Sequence, residues 1–526
     1  MKKIIALIIA VATVFCFSLT GCSKVKPLSN VEGEVKSGNG TFIVEKGDYL
    51  YFVNGVGDFE VTNKMGDALK GALVRIKKSD LANPSEDKVE TVIPKLVTTS
   101  SATDGIFIYG DTVYFGTAFD EKDKAGTVRK DYTDFLRFDL KTAKSTRITY
   151  ESNKVTDYTF VESNGKVYLA YVSTETVDEV ETKTLKAFDA AEGKSVFEKE
   201  VASVMLPTEI SPYAFYVNKA HSEDLDADEV YDELYRYEIG AEDSELMLSG
   251  VGSVAMNRDD NDKISKDKCV VDNEGVLESI SGVTFTLIKN DGKALVFKST
   301  DTDPQNSISK YYYAPLEVET DGIRGKVENF SDRINLGVSS TWLDSAIATK
   351  SYYKSATEIY YIETSTYVDH LVKFDYREVN SPNHGRTILT DTVKGMTLTF
   401  VEGDYMCFSE SGTGTYYALK YTEAGSKAVK INGSPMKTFT DWFAPRLVDG
   451  YFIGIYTSEI FTGYLYALDL EGLGSDEYEE RINKYSALDR DEVIALKATM
   501  IGKMTQGDKD AYDEKLDSDY PAKDEE

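Results

Sequence analysis

Few residues in this 526-residue chain have both the type and the spacing that catalysis or metal binding requires. The three histidines, His221, His370 and His384, are too far apart to suggest a zinc site or an HExxH protease. The 89 Asp and Glu residues would supply many carboxylate pairs for glycoside cleavage, but their number singles out none. The sequence therefore predicts no catalytic residue.

Calcium is the ion that the acidic residues suit best. Asn257, Asp259 and Asn261 have the spacing of the first alternate ligands of an EF-type loop. However, Asp262 stands where that loop needs a glycine for its turn, and Lys268 replaces the bidentate glutamate. Asn257, Asp259 and Asn261 are therefore the metal candidates of the sequence. Apart from calcium, we expect no cofactor.

A dense run of negative charge lies in residues 218–233, where Lys219 is the sole Lys or Arg. Its acidic residues are Glu223, Asp224, Asp226, Asp228, Glu229, Asp232 and Glu233. We predict an exposed acidic loop that receives a cationic or ion-bridged partner. The alternative is that these acids only keep the surface soluble.

The overall charge limits the partners. With 59 Lys and Arg against 89 Asp and Glu, the net charge is −30, which repels phosphate backbones and anionic lipid headgroups. This excludes nucleic acid as an expected partner. An envelope protein, a glycan or a cationic molecule fits such a surface.

The amino terminus predicts the compartment. Lys2 and Lys3 precede an uncharged apolar run over residues 4–19, which is typical of an export signal and short for a membrane span. The run ends in Leu19-Thr20-Gly21-Cys22, which resembles the lipobox of bacterial lipoproteins. The resemblance implies a signal peptide over residues 1–21, a lipid on Cys22, a tether over residues 22–30 and a location on the extracytoplasmic face of the cell membrane. The alternative is an ordinary secretory signal with a coincidental cysteine.

Two further cysteines, Cys269 and Cys407, remain downstream. In an exported protein they could form a disulfide, and two unrelated buried thiols would fit as well. The sequence leaves both alternatives open.

A repeat runs through most of the chain. Strand-like runs joined by Gly-Asp, Asn-Gly, Asp-Gly or Ser-Pro turns, the second rich in Tyr and Phe, predict eight hairpins. They cover residues 41–53, 105–116, 158–172, 205–217, 284–297, 352–362, 398–408 and 445–456.

Third and fourth strands follow the hairpins. Examples of third strands are residues 135–140, 184–189 and 464–470, which often end in an acidic residue, and residues 145–150 are a fourth strand. Four strands per unit predict an all-β fold, a β-propeller over residues 31–472 with eight blades favoured over seven. Residues 31–36 are expected to complete the last blade. A pair of β-sandwiches is the alternative fold.

Two motifs carry a further resemblance. Residues 187–197 (AFDAAEGKSVF) and 464–472 (YLYALDLEG) are similar to the repeat of quinoprotein-like propellers. Phe197 stands where that repeat usually has tryptophan, and the chain has only two tryptophans, so we do not carry over a quinone cofactor. The chain also resembles propeller domains of unknown function in lipoproteins of Gram-positive bacteria, which supports the fold and leaves the function open.

The composition changes after residue 472. Residues 473–526 contain 16 acidic and 8 basic residues and no strand pair. Asp489 and Glu492 resemble a capping box, and Val493, Leu496, Met500 and Met504 form a helical stripe. We predict a short helical extension that packs on the propeller edge and an acidic end that frays from Asp508.

The connections from second to third strands predict the binding surface. They are long in the early units, at residues 54–71, 116–134, 173–183, 218–232 and 298–309, and emerge on one face of a propeller. Together these patterns predict a lipid-anchored, non-catalytic binding or scaffold module. The alternatives are an exported enzyme that acts on polysaccharide or peptide over the propeller channel, and a substrate-capturing lipoprotein of a transporter.

Overall fold

The computed structural model describes most of the chain. The described residues are 25–56, 65–66, 68–97, 105–118, 133–207, 211–221, 230–249, 283–290, 294–301, 309–315, 328–329, 351–354, 358–364, 368–375, 382, 385–423, 425–433, 436, 444–457, 463–483 and 488–522.

Within these residues, strands form eight antiparallel sheets that follow one another along the chain. Sheet 1 contains β1 (Val35–Ser37), β2 (Ile43–Lys46), β3 (Tyr49–Val53), β4 (Leu73–Lys77) and β5 (Glu90–Ile93). Sheet 2 contains β6 (Phe107–Tyr109), β7 (Thr112–Ala118), β8 (Thr133–Asp139) and β9 (Lys144–Glu151). Sheet 3 contains β10 (Lys154–Ser163), β11 (Lys166–Val177), β12 (Val180–Asp189) and β13 (Lys194–Val201). Sheet 4 contains β14 (Ser203–Met205), β15 (Tyr213–His221), β16 (Val230–Glu238) and β17 (Glu245–Ser249).

The second half repeats this plan. Sheet 5 contains β18 (Val283–Asn290), β19 (Ala294–Asp301), β20 (Ser309–Pro315) and β21 (Glu328–Asn329). Sheet 6 contains β22 (Tyr352–Tyr353), β23 (Glu358–Thr364), β24 (Asp369–Asp375) and β25 (Arg386–Thr390). Sheet 7 contains β26 (Met396–Glu402), β27 (Tyr405–Glu410), β28 (Tyr416–Lys420) and β29 (Val429–Lys430). Sheet 8 contains β30 (Arg446–Val448), β31 (Tyr451–Ile455) and β32 (Leu465–Asp469).

The eight predicted hairpins are confirmed, since the first two blade strands of every sheet pair antiparallel. The fold is a β-propeller, and the number of blades around its ring stays a prediction. The apolar core lies between the sheets, because each buried cluster is shared by neighbours along the chain. Stacked aromatic rings span two of these joints: Phe135 on Tyr171 at 4.8 Å and Phe197 on Tyr237 at 4.0 Å.

The first and last sheets also meet. One buried cluster joins sheets 1, 2 and 8, the backbone N–H of Val56 donates to the carbonyl of Gly463 at 2.8 Å, and Lys78 pairs with Asp449 at 3.2 Å. The expectation that residues 31–36 complete the last sheet is wrong. They lead instead into β1, which pairs with β2, Val35 opposite Lys46, and makes sheet 1 five-stranded.

The predicted helical extension is confirmed and comprises α1 (Asp476–Asn483), α2 (Arg490–Lys497) and α3 (Gln506–Asp519). The predicted capping box of Asp489 and Glu492 opens α2. Fraying from Asp508 is wrong, because this residue lies in the first turn of α3 and accepts a hydrogen bond from the hydroxyl of Tyr464 at 2.5 Å.

Residues 499–501 supply the edge pairing that sheet 8 would otherwise lack. The N–H of Ala467 donates to the carbonyl of Thr499 at 2.9 Å, and the N–H of Ile501 donates to Leu465 at 3.1 Å. Asn54 then fastens the next residues to sheet 1, since its side chain both donates to and accepts from the backbone of Lys503 at 2.8 Å. The carboxyl-terminal extension therefore joins the two ends of the propeller.

Candidate binding site

The two faces of the propeller differ. Because strands alternate in direction, the turns between first and second strands and between third and fourth strands lie together, on what we call the tight-turn face. The opposite face, here the hairpin face, carries the connections between second and third strands and the links from one sheet to the next. Among the described residues, the longest ladders between second and third strands are the β11–β12 hairpin of sheet 3 and the β15–β16 hairpin of sheet 4, with ten and nine residue pairs. The hairpin face is named for these two hairpins.

The hairpin of sheet 3 replaces a predicted loop. Residues 173–183 continue the ladder of β11 and β12 without interruption as far as the pair Val177 and Val180. Only Asp178 and Glu179 form the turn, with φ of 50° and 68°, and this pair of left-handed residues matches the twist of a two-residue hairpin. The expected loop at 173–183 is therefore wrong, because its Thr and Val residues favour strand pairing and extend β11 and β12 past the predicted strand ends.

The neighbouring hairpin of sheet 4 corrects the prediction of an acidic loop. Here β15 and β16 pair from Tyr213 with Glu238 to His221 with Val230, so Asp232 and Glu233 lie in a strand. Asp232 is buried, forms an ion pair with Lys219 and accepts the backbone N–H of Phe285 in sheet 5 at 2.7 Å. It therefore holds sheet 5 against sheet 4 and is unavailable to a cationic partner.

The other acidic residue of this strand, Glu233, accepts a hydrogen bond from Tyr235 at 2.6 Å. The remaining five candidates, Glu223, Asp224, Asp226, Asp228 and Glu229, lie outside the described residues.

A cleft of about 570 Å³ lies between the hairpins of sheets 3 and 4. Its walls are residues 180–183 of β12 on one side and Asn218 and Lys219 of β15 on the other. Its floor is the end of β13, Glu200 and Val201, and the residue that links sheet 3 to sheet 4, Ala202. A second cavity of about 320 Å³ shares Ala202 and Lys219 with the first and extends to Phe285 in sheet 5. Both volumes suit a small ligand or a short stretch of polymer.

In each wall of this cleft, the strand runs past its neighbour, and no other strand in the described part of the chain pairs with the exposed edge. β13 stops pairing with β12 at Val201, opposite Lys183, so residues 180–182 extend past it. Likewise β14 begins at Ser203, opposite Val217, so residues 218–221 extend past its start. Strand edges of this kind present backbone N–H and C=O groups that another strand can pair with.

The rim of the cleft is acidic with an apolar tip. Val177 and Val180 are 56% and 65% exposed. Five exposed acidic residues lie near these valines: Glu175, Asp178, Glu179, Glu181 and Glu200. Against them stand Lys183 and Lys219, and Asp232 already neutralises the second. The rim therefore attracts positive charge.

Other regular acids in the propeller have structural roles. Asp189, at the end of a third strand, accepts the N–H groups of Ala191 and Glu192 at 2.8 and 3.0 Å and so forms the turn into the fourth strand. Burial opposes its ionisation, but these N–H groups and Lys166 lower the pKa of the Asp189 carboxyl. Asp469 makes the same kind of turn in sheet 8 with the N–H of Glu471 at 2.9 Å.

No group of three or more metal-ligating side chains occurs in the part of the chain that the structure describes. The calcium candidates Asn257, Asp259 and Asn261 lie outside that part. Cys407 is a free thiol, and complete burial raises its pKa well above the ordinary value. Cys269 lies outside the described residues.

The segment that leads from Cys22 into the propeller lies on the tight-turn face. Cys22 itself is outside the described residues, but Val25 is already buried, 9% exposed, in the cluster of sheets 1, 2 and 8. The N–H of Leu28 donates to the carbonyl of Leu140 at 3.0 Å, beside the turn between β8 and β9.

The buried guanidinium of Arg75 donates to the carbonyls of Ser29 at 2.7 Å and Asn30 at 3.1 Å. The predicted tether is therefore packed against the propeller from residue 25 onward. Among the described residues, no helix is both long and apolar enough to cross a membrane.

No protein-family model and no curated protein matches this chain. Several solved structures are similar to it in fold. The β-propeller domain of the Trilobed protease from Pyrococcus furiosus has 12% identity and a TM-score of 0.31, with 78% of this chain and 96% of that chain covered. The acylaminoacyl peptidase from Pyrococcus horikoshii has 10% identity and a TM-score of 0.36, and the match spans 80% of this chain and 56% of the peptidase. An oligogalacturonate lyase in complex with manganese has 11% identity and a TM-score of 0.34, over 78% of this chain and 96% of the lyase.

Proposed function

We propose that this protein is a lipid-anchored β-propeller on the extracytoplasmic face of the cell membrane, where it acts as a non-catalytic binding module through its hairpin face. Cys22 carries the lipid in this proposal. Two or more acyl chains, at about 0.8 kcal/mol per buried CH₂, are enough for stable anchoring.

The observation that carries the proposal is the placement of two features on opposite faces. The amino-terminal segment packs against the tight-turn face from Val25 onward, whereas the cleft opens on the hairpin face between sheets 3 and 4. Val25 lies three positions after Cys22, and at about 3.5 Å per position this stretch reaches at most about 10 Å. The anchor therefore holds the tight-turn face close to the bilayer and directs the cleft away from it.

A labelling experiment on the anchored protein tests this orientation. Val180→Cys places a thiol at the tip of the hairpin face, and Glu34→Cys places one beside the packed amino-terminal segment, where both native side chains are exposed. We expect a bulky, membrane-impermeant maleimide to label Val180→Cys equally fast with and without membranes. Labelling of Glu34→Cys should be several-fold slower on membranes than in detergent, each rate measured against the parent chain.

Cys22→Ala is the control, since it should release the protein from the membrane fraction. Equal protection of the two thiols, or protection of Val180→Cys alone, would contradict the proposed orientation. Release of sugars or peptides from envelope fragments by the purified protein would instead support the enzyme alternative.

A further inference from the structure

We propose that the cleft between the hairpins of sheets 3 and 4 binds an extended, positively charged polypeptide segment that pairs its backbone with the open strand edges. This inference deepens the proposed binding function and names its ligand class, and it does not depend on the lipid anchor.

The first argument is the geometry of the edges. Residues 180–182 of β12 and residues 218–221 of β15 run past the last residues of β13 and β14 that pair with them. Both edges bound the same cleft above the link at Ala202. An inserted strand would continue the line of β13 or β14, and at about 3.3 Å per residue the edges offer pairing for three or four residues.

The second argument is the polarity of the floor. The floor is the end of β13 and Ala202, whose N–H donates to the carbonyl of Val217 at 2.8 Å. In the orientation that satisfies both groups, the amide nitrogen of Asn218 donates to the carbonyl of Glu200 at 3.1 Å. The floor groups are thus paired within the protein, and the strand edges of the walls remain for the ligand. A ligand with its own regular row of N–H and C=O groups suits such edges, whereas a sugar ring lacks that row.

The third argument is charge. The exposed Glu181 and Glu200 line the cleft, and Glu175, Asp178 and Glu179 are exposed on the same hairpin of sheet 3. Lys219 is held by Asp232, which leaves Lys183 as the opposing charge of the lining. In the ladder, Val177, Val180, Glu175 and Glu200 lie on one face of sheet 3, and Glu181 lies on the other. An inserted strand places alternate side chains on the two faces, so basic residues at every second position would face the carboxylates of Glu175 and Glu200. Their aliphatic stems would contact the exposed Val177 and Val180.

The experiment uses a short synthetic peptide of alternating lysine and valine, titrated against the full chain and followed by fluorescence anisotropy. The matched probe is the same peptide with every second backbone nitrogen methylated, which keeps the charge but removes backbone donors. We expect the methylated peptide to bind about tenfold more weakly, because main-chain hydrogen bonds supply much of the affinity in strand addition. Hydrogen exchange should show new protection with the first peptide at residues 180–182 if it continues β13, or at residues 218–221 if it continues β14.

Variants of the protein test the charge. Replacing Glu179, Glu181 and Glu200 together by glutamine should weaken the peptide about tenfold, since each exposed pair contributes a few tenths of a kcal/mol to about 1 kcal/mol. The control replaces Glu34, Glu192 and Glu480, which are exposed elsewhere, and should leave the affinity unchanged.

Equal binding of both peptides would overturn backbone pairing. Equal loss in the two triple variants would overturn the location. A cationic glycan that protects residues 180–183 while the peptide does not bind would refute the ligand class and leave the binding function intact.

Discussion

Two strand edges of this propeller differ in whether another segment of the chain covers them. In sheet 8, residues 499–501 cover the open side of β32, with Met500 opposite Tyr466 in an antiparallel bridge. In sheet 3, the end of β12 at residues 180–182 runs past its neighbour, and no described strand covers it. The first edge is closed by the protein's own chain over a buried apolar cluster, and the second borders an open cleft with an acidic rim.

The difference separates stability from recognition. A covered edge satisfies its backbone groups and excludes other chains, so the joint between sheets 8 and 1 stabilises the propeller. An open edge contributes little to the folded state but can pair with a ligand. The extension on β32 shows on this same molecule how a short extended segment completes a sheet.

Removal of the carboxyl-terminal extension should have the largest effect. Ending the chain after Ala498 deletes residues 499–501 and α3, and with them the buried side chains of Met500, Ile501, Met504, Tyr512 and Leu516. At about 1.5–3 kcal/mol for each buried side chain, the loss rivals the whole stability of a typical domain. We expect the truncated protein to aggregate or to unfold at a much lower urea concentration.

A milder variant tests the same joint in a folded protein. Asn54 is fully buried, and its amide donates to Leu69 at 2.9 Å as well as bonding Lys503 in both directions. Asn54→Ala should lower the free energy of unfolding by about 2–4 kcal/mol, because it leaves buried backbone groups unpaired. Ser152→Ala, at an exposed site, is the control. An unchanged urea midpoint for Asn54→Ala would show that the extension does not stabilise the joint.

A buried carboxylate stabilises the joint between sheets 2 and 3, and its replacement should have an intermediate effect on stability. The buried carboxylate of Glu151 accepts hydrogen bonds from Lys186 at 2.8 Å, the N–H of Asn153 at 3.0 Å and Tyr171 at 3.2 Å. Burial opposes its ionisation, but these donors outweigh burial and lower the pKa of the Glu151 carboxyl. Its stabilisation is therefore fully present above the unfolded-state pKa of about 4.3 and is lost as pH falls through the lower folded-state pKa.

Glu151→Gln should cost about 1–2 kcal/mol at neutral pH, since the charge-assisted hydrogen bonds are lost. Urea unfolding at pH 7, 5, 4 and 3 should show the two proteins converging only in the acidic range. Glu198→Gln is the matched control, because this carboxylate is 62% exposed and 3.9 Å from the same lysine. A difference between Glu151→Gln and the parent that stays constant down to pH 3 would contradict the assigned pKa direction.

The sealed joints and the open cleft were not equally visible in the sequence. Hairpins with a Gly-Asp or Asn-Gly turn and the capping box at Asp489 depend on residues a few positions apart, so local chemistry predicts them. By contrast, the segment that covers β32, residues 499–501, follows two helices in the sequence. It is too short to show the alternation of apolar and polar residues that marks a strand. The prediction that residues 31–36 complete the last sheet failed for the same reason, since the sequence of a short strand does not indicate which strand it pairs with.

The cleft was harder still to predict. The face was anticipated from the long connections, but the site itself depends on where β13 ends relative to β12, at Val201 opposite Lys183. Residues 173–183 and the acidic pair Asp232 and Glu233 were predicted to lie in loops, whereas they lie in the strands and the tight turn of the two hairpins. Relative strand length is a tertiary property, and hydrophobic pattern alone does not encode it.

The smallest effect on stability should come from the tip of the open hairpin, and it separates the two edges most directly. Val177 and Val180 are more than half exposed, so replacing both with serine should change the free energy of unfolding by no more than about 0.5 kcal/mol. Val172→Ala, on the same strand β11 but only 3% exposed, should cost about 2 kcal/mol because it leaves a cavity between sheets. If the tip variant destabilised the protein as much as Val172→Ala does, the hairpin would be part of the folded core. If it preserved stability and weakened the lysine–valine peptide, the open edge would serve recognition alone, as the covered edge of β32 serves stability.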